Sequence, residues 1–283
     1  SGRDDPAEAD TLSGIGRGRG NLKPPTTNQA MRLILTTFCT LILISPLLIG
    51  QGYNSNLNEG NGLLFKFSYG YHVPGGDLAD RFGSNSSIQT GLDYITDKSN
   101  WIIGLDANFY FGSVVKEAVL GGLLNPEGFI IGNDRDYADI QLRERGIHFD
   151  LHLGKIFPIS PINQRSGIRV HVGAGLLQHK IRIQDDPIRG VPQLFGDYKK
   201  GYDRLTNGLS LTEFVGYQHL SRDRRLNFYG GFEWTQAFTQ SRRDFNFDTM
   251  SKDEAKRFDS LIGFRIGLIL PFYLGQDAGQ IYY

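Results

Sequence analysis

The sequence predicts an all-β fold, an eight-stranded antiparallel up-and-down transmembrane β-barrel. Three observations lead to this prediction. Between Gly62 and Tyr273, successive runs alternate strictly between apolar residues and polar or small ones. Side chains of a strand point to opposite faces with period two, so each run reads as a strand with one oily face and one polar face. The connections between runs alternate between short and long, and an apolar segment precedes the first run.

The leader, Ser1–Ala30, differs in character from the rest of the chain. It is polar, rich in Gly, Arg and Pro, and has no apolar periodicity. A signal peptide should begin at an initiator methionine, so we expect Met31 to be the true start. Residues 1–30 are therefore interpreted as a non-native or disordered leader without function.

An apolar run, Leu33–Ile49, follows a basic residue, Arg32, and is followed by the small residue Gly50. A short basic region, an apolar core and a small residue are typical of a secretory signal peptide, so residues 31–50 are predicted to be cleaved near Gly50. The alternative is a retained membrane anchor. The run is short for a spanning helix and is interrupted by Pro46, which disfavours that alternative.

Composition limits what the remaining domain, 51–283, can do. The chain has 30 Lys and Arg against 30 Asp and Glu, a formal net charge of zero. A nucleic-acid partner would call for a basic surface, so none is expected. Cys39 is the single cysteine and falls in the predicted signal peptide. An exported domain without disulfides must be held by its hydrogen-bond ladder, as a closed barrel is.

Each strand is placed by its alternation. The first carries apolar residues at every odd position from Leu63 to Val73, and the third, from Trp101 to Phe111, is the clearest. The sixth is the weakest, because Glu213 falls on the apolar face, and a β-bulge there would restore the alternation. The predicted strands are Gly62–Val73, Ser87–Thr96, Trp101–Gly112, Gly146–Phe157, a fifth before the loop at Gln184 with its faces assigned over Ile168–Leu176, Asn207–Leu220, Leu226–Phe238 and Phe258–Tyr273.

Connection lengths predict the orientation. Outer-membrane barrels have short periplasmic turns and long extracellular loops. Both chain ends are then expected on the periplasmic side. The short connections are Asp97–Asn100, Pro158–Ser166 and Ser221–Arg225. The long ones are Pro74–Ser86, Ser113–Arg145, Gln184–Thr206 and Thr239–Arg257.

The second face of the strands distinguishes this barrel from a soluble, lipocalin-like one, which is the alternative. That face carries glycine in most strands together with seven charges, a composition that suits a crowded polar lumen. Unpaired charges there would be costly, so ion pairs are expected, with Glu233 facing Arg265 across the last hairpin. A plugged barrel is favoured over a water-filled pore. The seven charges are Lys66, Asp93, Asp106, Asp150, Arg169, Glu233 and Arg265.

With these residues in hand, the chain resembles the small bacterial outer-membrane β-barrel proteins of the OmpA/OmpX-like and PorT-like class. The resemblance covers roughly Gly62–Tyr283. It rests on the strand pattern, the segment VPGGDLADRFG (Val73–Gly83) and the ending IGLILPFYL (Ile266–Leu274). The chain departs from the usual terminal aromatic of this class, because ten residues follow Tyr273; Tyr283 is itself aromatic, so both are candidates for the terminal aromatic. The resemblance implies a location in the bacterial outer membrane and leaves the activity open.

Candidate catalytic and metal residues are few. His148, Asp150, His152 and His171 face the predicted lumen, but His148 and His152 are about 13 Å apart along one strand and cannot share a metal. No nucleophile motif such as GxSxG is present. We therefore expect no catalytic, cofactor or metal site and no cofactor. A lipid A-modifying enzyme remains the alternative, with His179 and Ser210 as its candidate residues.

The long loops are the expected working surface. Ser113–Arg145 is the longest, and its apolar part, Val114–Leu124, is expected to form a short helix or hairpin over the barrel mouth. Partners are expected to be outer-membrane lipid and lipopolysaccharide, and an envelope or secretion-complex protein bound through the loops, Gln184–Thr206 included. The basic pairs Lys199-Lys200 and Arg242-Arg243 are the candidates for lipopolysaccharide phosphates.

The resulting functional prediction is a non-enzymatic barrel with an envelope-structural, surface-interaction or secretion-accessory role. A lipid A-modifying enzyme is one alternative and a narrow pore is the other. We expect the protein to fractionate with the outer membrane and to change its mobility on gels after boiling, because closed barrels resist detergent at room temperature. Recovery from the soluble periplasmic fraction, with no such mobility change, would contradict the prediction.

Overall fold

The computed structural model describes residues 60–185, 188–222 and 225–274. The predicted leader (1–30), the predicted signal peptide (31–50) and the second candidate terminal aromatic, Tyr283, lie outside the described residues. In chain order, strand β1 (Gly62–Gly76) is followed by helix α1 (Asp77–Arg81). The remaining strands are β2 (Asn85–Ile95), β3 (Trp101–Gly112), β4 (Ile130–Ile131), β5 (Tyr137–Ala138), β6 (Gln141–Pro158), β7 (Gly167–Gln184), β8 (Thr206–Leu220), β9 (Asn227–Ser241) and β10 (Lys256–Tyr273).

Eight of the strands in this described part of the chain close into one antiparallel barrel. Their order around the barrel is β1-β10-β9-β8-β7-β6-β3-β2, and β1 pairs with both β10 and β2. The predicted up-and-down barrel of eight strands is confirmed. β4 and β5 form a separate two-stranded sheet within one long connection. Among the described residues, no helix has the length and apolar character needed to cross a membrane.

The two faces of the strands are those that the alternation predicts. Leu105 and Leu151, paired on β3 and β6, turn outward and are 52% and 68% exposed. Asp106, the next residue on β3, turns inward and is 3% exposed. A continuous apolar outer wall around a polar interior is the arrangement of a membrane-spanning barrel and the reverse of a soluble one. The soluble alternative is therefore wrong.

Two details of the strands differ from prediction. β6 has 18 residues and begins at Gln141, well before the predicted Gly146 at the loop end, whereas β7 ends at Gln184, where the predicted loop begins. The expected β-bulge at Glu213 is absent, because β8 pairs without interruption with both neighbours, Glu213 opposing Val172 and Trp234. The Glu213 side chain is accordingly exposed on the outer wall.

The interior is layered along the barrel axis. At the turn end, inward side chains are apolar and fully buried, a layer that the sequence reading of a wholly polar lumen missed. The seven predicted lumenal charges fill the middle, and each is at most 5% exposed. At the loop end a second apolar cluster joins the upper barrel to the loops. The turn-end layer consists of Leu64, Ile95, Ile102, Ile156, Phe214, Leu220, Tyr229 and Ile269.

The short turns are fastened by one arginine. Arg165, in the β6–β7 turn, donates to the carbonyl of Thr96 (2.8 Å) and to Oδ1 of Asn100 (3.0 Å) in the β2–β3 turn. It also donates to the carbonyl of Gly60 and lies over the ring of Tyr273, 5.8 Å from its centroid. One side chain thus connects two turns with the start of β1 and the end of β10.

The outer wall can be tested with one substitution. Leu105→Arg should lower the free energy of unfolding by about 2–4 kcal/mol, because it places a cation near the middle of the bilayer. The measurement is urea unfolding in phospholipid vesicles, followed by tryptophan fluorescence. Leu124→Arg is the matched control, since Leu124 is similarly exposed (47%) but lies in a loop. Equal stability losses for the two variants would show that the wall at Leu105 does not face lipid.

Candidate functional site

The central layer of the lumen is a network of charges contributed by five strands. Lys66 on β1 lies between two carboxylates, with its Nζ 2.8 Å from Asp93 and 2.8 Å from Asp106. Arg169 on β7 pairs with the same Asp93 at 2.6 Å, and His152 on β6 approaches it at 2.9 Å. Because each charge has an opposite charge in contact, the desolvation penalty of burial is offset.

A second ion pair lies toward the loop end of the lumen. Arg265 meets Glu233 with two parallel hydrogen bonds of 2.8 and 2.6 Å, and it also donates to Ser68 at 3.2 Å. The predicted contact between Glu233 and Arg265 is confirmed, although the two are diagonal neighbours: Glu233 pairs with Gly263 in the β-ladder. His72 approaches Glu233 from β1 at 3.2 Å, so three strands are joined here.

An aromatic ring and glycines complete the filling of the cross-section. Tyr229 lies between Lys66 and Arg169, whose charges are 5.9 and 5.4 Å from its ring centroid. Cation–π contacts of this kind strengthen in a dry interior. A Cβ on Gly91 would overlap the Asp106 carboxylate, and one on Gly104 would overlap that of Asp93. These glycines leave the space that the carboxylates occupy, which explains the glycine content of the polar face.

Three of the four candidate residues on β6 and β7, Asp150, His152 and His171, belong to this network. His152 approaches Asp150 at 3.5 Å, and its ring centroid is 4.5 Å from that of His171. His148 bonds elsewhere, to Ser210. The ligand atoms of Asp106, His152 and His171 lie within 4.8 Å of one another, a spacing suited to a metal ion.

Two cations of the chain already occupy this metal-like cluster. Lys66 contacts Asp106 directly, and Nε of Arg169 donates to Nδ1 of His171 at 3.2 Å. A metal dication at the same place would face both of these side chains at close range, in a low-dielectric interior where like-charge repulsion is strong. The donor set therefore fits the protein's own cations and does not support a metal centre.

His179 and Ser210, the candidates for lipid A chemistry, are not brought together. His179 binds Asp259 at 2.8 Å, whereas Ser210 binds Nε2 of His148 at 2.9 Å. Ser210 opposes Gly175 on β7, four positions from His179, or about 13 Å along the strand. The two candidates therefore belong to separate hydrogen-bonded pairs.

A serine-hydrolase triad places a serine, a histidine and a carboxylate next to one another, and the side chains of Ser210, His148 and Asp150 succeed one another in this way. The His148–Asp150 separation of 3.6 Å exceeds a hydrogen bond, and all three side chains are at most 5% exposed. A nucleophile needs a path to its substrate, and this one is enclosed between the central charges and the loop-end cluster. The arrangement serves packing of the lumen rather than acyl transfer.

The four long loops are joined by one chain of ion pairs. Arg81 in the first loop meets Glu117 in the second at 2.9 Å, and Arg204 in the third meets the same Glu117 at 2.8 Å. Arg204 also pairs with Asp248 in the fourth loop. Burial lowers the pKa of Arg81, and the Glu117 carboxylate opposes that shift. We call this joined structure, loops 77–84, 113–140, 185–205 and 242–255, the cap.

The cap has an apolar underside and exposed aromatic side chains above. Val119 and Leu120, from the segment predicted to form a helix or hairpin, are buried in the loop-end cluster, next to a 3-10 turn at Gly121–Leu123. Leu78 and Phe82 of the first loop pack into the same cluster. Large apolar side chains that the cap leaves exposed include Phe129, Tyr137, Phe195, Tyr198 and Met250.

The basic pairs predicted to contact lipopolysaccharide are occupied by partners within the cap. Lys199 binds Asp185 at 2.6 Å and lowers the pKa of that carboxyl. Lys200 binds Asp197 at 2.7 Å, and Arg243 binds Asp203. Arg242 donates to the side chain of Asn207.

Sequence reasoning did not single out four other cations, which lie at the loop ends of β6 and β7: Arg143, Arg145, Lys180 and Arg182. Arg143 and Arg145 fall in a predicted loop, because the fourth predicted strand begins at Gly146. Lys180 and Arg182 lie before the predicted loop at Gln184, but the faces of the fifth strand are assigned only as far as Leu176. Continued alternation through Gln141–Arg145 and Gln178–Gln184 was the signal that would have shown their direction.

Comparison with known proteins adds a fold likeness. No family model and no curated protein matches the chain. OprG, an outer membrane protein from Pseudomonas aeruginosa, is 10% identical, with 79% of this chain and 100% of that chain covered and a TM-score of 0.38. Ail, the attachment invasion locus protein of Yersinia pestis, was solved alone (11% identical, TM-score 0.35) and with the heparin analogue sucrose octasulfate (12%, 0.33). Both Ail matches cover 75% of this chain and 99% of that chain.

Identities and TM-scores this low say nothing about ligand or activity. The class of protein is therefore argued from the architecture of the barrel. The described barrel has eight antiparallel strands, an apolar outer wall, a polar interior, short turns at one end and long loops at the other. This is the architecture of the small bacterial outer-membrane barrels, and such a wall is stable only in a bilayer. The protein is a bacterial outer-membrane barrel.

The central ion pairs can be tested by breaking one of them. Glu233→Gln should lower the free energy of unfolding by about 3–5 kcal/mol, because it leaves Arg265 buried without a counter-charge. The double variant Glu233→Leu with Arg265→Met should recover most of that loss. Urea unfolding in vesicles measures both.

The matched control breaks an exposed pair. Lys252 and Glu254 are 2.9 Å apart in the fourth loop and largely exposed, so Lys252→Gln should leave stability unchanged. A single Glu233 variant as stable as the wild type would show that the lumen is hydrated and not sealed by its ion pairs.

Proposed function

We propose that this protein is a non-enzymatic outer-membrane barrel whose cap binds another macromolecule at the cell surface. The observation that carries the proposal is the chain of ion pairs from Arg81 through Glu117 and Arg204 to Asp248, which joins all four loops. Loops that are buried against one another lose little entropy on binding, so a preformed surface binds better than four separate loops.

The exposed side chains of the cap support this role. Phe129 and Tyr137, at the β4–β5 hairpin, pack against each other with centroids 4.6 Å apart while both remain about half exposed. Tyr198 is 63% exposed in the third loop. Aromatic side chains are enriched at protein interfaces, since they contribute large contact areas at low entropic cost. A surface-interaction role accounts for their exposure better than a purely structural one.

The sealed lumen is the argument against a pore. Three layers obstruct the axis: the apolar layer at the turn end, the paired charges in the middle and the cap cluster at the loop end. Single-channel recording in planar bilayers should therefore find no stable conductance. The variant Glu117→Ala, which separates the loops, should also show no stable conductance, because the ion pairs of Lys66 and Arg265 still fill the lumen. A large, stable conductance in the wild type would make the protein a channel.

The enzymatic alternative and the cap itself are tested in cells. Lipid A from cells with and without the protein should have the same mass, and a mass shift that depends on the protein would make it a lipid A-modifying enzyme.

Added protease should cleave the loops of Glu117→Ala faster than those of the wild type, because Glu117 joins three of the four loops to one another. Equal cleavage rates would contradict a preformed cap.

A further inference from the structure

The outer wall carries a compact group of cations where β6 and β7 rise above the apolar band. Arg143 opposes Arg182 in the ladder, and Arg145 opposes Lys180. All four turn outward, so they form a two-by-two patch with spacings of about 5 Å between strands and about 6.6 Å along each strand. We call these four residues the wall cluster. Like charges directly opposite each other destabilise a sheet, so the patch needs a counter-charge.

The described part of the chain does not supply that counter-charge. Within residues 60–185, 188–222 and 225–274, no carboxylate forms an ion pair with any member of the wall cluster. Arg143 donates to the neutral Gln141 at 2.7 Å, and its Nε is buried without a hydrogen-bond partner. Glu144, the acid between the two arginines, points inward and accepts from Asn85. The basic pairs of the cap, Lys199-Lys200 and Arg242-Arg243, differ from the wall cluster, because three of these four cations form ion pairs with carboxylates.

The depth of the wall cluster is fixed by the strand that carries it. On β6 the outward residues from Ile147 to Leu153 are apolar, and Lys155 follows, lying over Trp101 and Phe157 (5.6 and 5.7 Å to the centroids). A lysine among aromatic rings marks the lower membrane interface. The ten residue-to-residue steps from Arg145 to Lys155, at about 3.3 Å each and tilted by about 40°, span about 25 Å. The wall cluster is thus level with the outer-leaflet headgroups.

A groove next to the cluster combines an apolar floor with a cationic rim. It has a volume of about 240 Å³. Phe109 and Ile147 form the lower part, on the side of the hydrocarbon, and Arg145, Lys180 and Arg182 line the upper part. A ligand that fits both parts has an anionic head and an aliphatic body, held at the level of the membrane surface.

We propose that the wall cluster binds the phosphate groups of lipid A in the outer leaflet, with an acyl chain against Phe109 and Ile147. Lipid A carries phosphates on a sugar core above its acyl chains, which matches the vertical order of the groove. Arginine binds phosphate oxygens in a bidentate manner, and the contact is strongest near a low-dielectric surface. The proposal goes beyond the function of the cap and does not depend on it, since the cap lies above and the wall faces sideways into the lipid.

The test compares lipid A retention by two variants of equal charge change. Full-length protein is reconstituted in nanodiscs of phosphatidylcholine with lipid A, extracted in detergent, and the lipid retained is measured by native mass spectrometry. The wild type should retain lipid A. The quadruple variant Arg143→Gln, Arg145→Gln, Lys180→Gln and Arg182→Gln should retain about tenfold less or lower still, since it removes charge-assisted hydrogen bonds. The control changes four cap cations to Gln: Lys199, Lys200, Arg242 and Lys252.

Three further arms decide what is recognised. The wild type should retain dephosphorylated lipid A poorly. Its retention should be as low as that of intact lipid A by the quadruple variant. Retention of intact lipid A should fall with salt, because phosphate contacts at a surface are screened. A soluble polyanion, heparin, added to the wild type should displace little lipid A, because it cannot occupy the apolar floor.

Each contrary result overturns the proposal. Equal loss from the quadruple and control variants would mean a general charge effect, and undiminished binding of dephosphorylated lipid A would mean recognition of the acyl chains alone. Complete displacement by heparin would make the wall cluster a site for soluble polyanions. Mobility before and after boiling shows that each variant is folded, and the double variant Lys180→Gln with Arg182→Gln replaces the quadruple variant if that one is not. Conductance and loop cleavage should be unchanged in the quadruple and double variants of the wall cluster, so the role of the cap is tested separately.

Discussion

The need to pair every charge inside a narrow lumen governs the rest of this structure. An eight-stranded barrel is wide enough only for side chains, and an unpaired charge there would cost several kcal/mol. Lys66, Arg169 and Arg265 therefore pair with carboxylates from other strands, some of them across the lumen, and Gly91 and Gly104 leave room for the carboxylates of Asp106 and Asp93. With polar groups turned inward, the period of the strand turns the apolar ones outward, so the filled lumen and the lipid-facing wall are two results of one alternation.

Alternation also determines how much could be predicted from the sequence. The strands, their faces and the Glu233–Arg265 contact follow from period two, because lipid outside and charge inside enforce it. The upper end of β6 was missed, since Arg143 and Arg145 lie above the lipid, where an outward residue need not be apolar. The bulge at Glu213 was wrong because the ladder hydrogen bonds outweigh one polar side chain on the wall. Contacts between loops, such as Arg81 with Glu117, have no periodicity and leave no pattern in the sequence.

The distribution of unpaired charge separates the two exposed surfaces of the protein. In the cap, Glu117 and Asp248 neutralise the arginines around them, and exposed aromatic and aliphatic side chains lie on the surface beside charged ones that are paired with each other. On the wall, no carboxylate of the described residues pairs with Arg145 or Lys180, which lie level with the outer-leaflet headgroups. Each surface therefore suits a different environment: the cap faces the medium and its macromolecules, and the wall faces the lipid.

The position of Arg165 has a consequence for the closure of the barrel. The seam between β1 and β10 joins the two ends of the barrel-forming chain. Arg165 contacts Gly60 and Tyr273 on either side of that seam, yet it belongs to the β6–β7 turn in the middle of the chain. The periplasmic end of the seam is therefore held in part by a residue that is remote from it in sequence, so closure of the barrel and placement of its central hairpin are coupled.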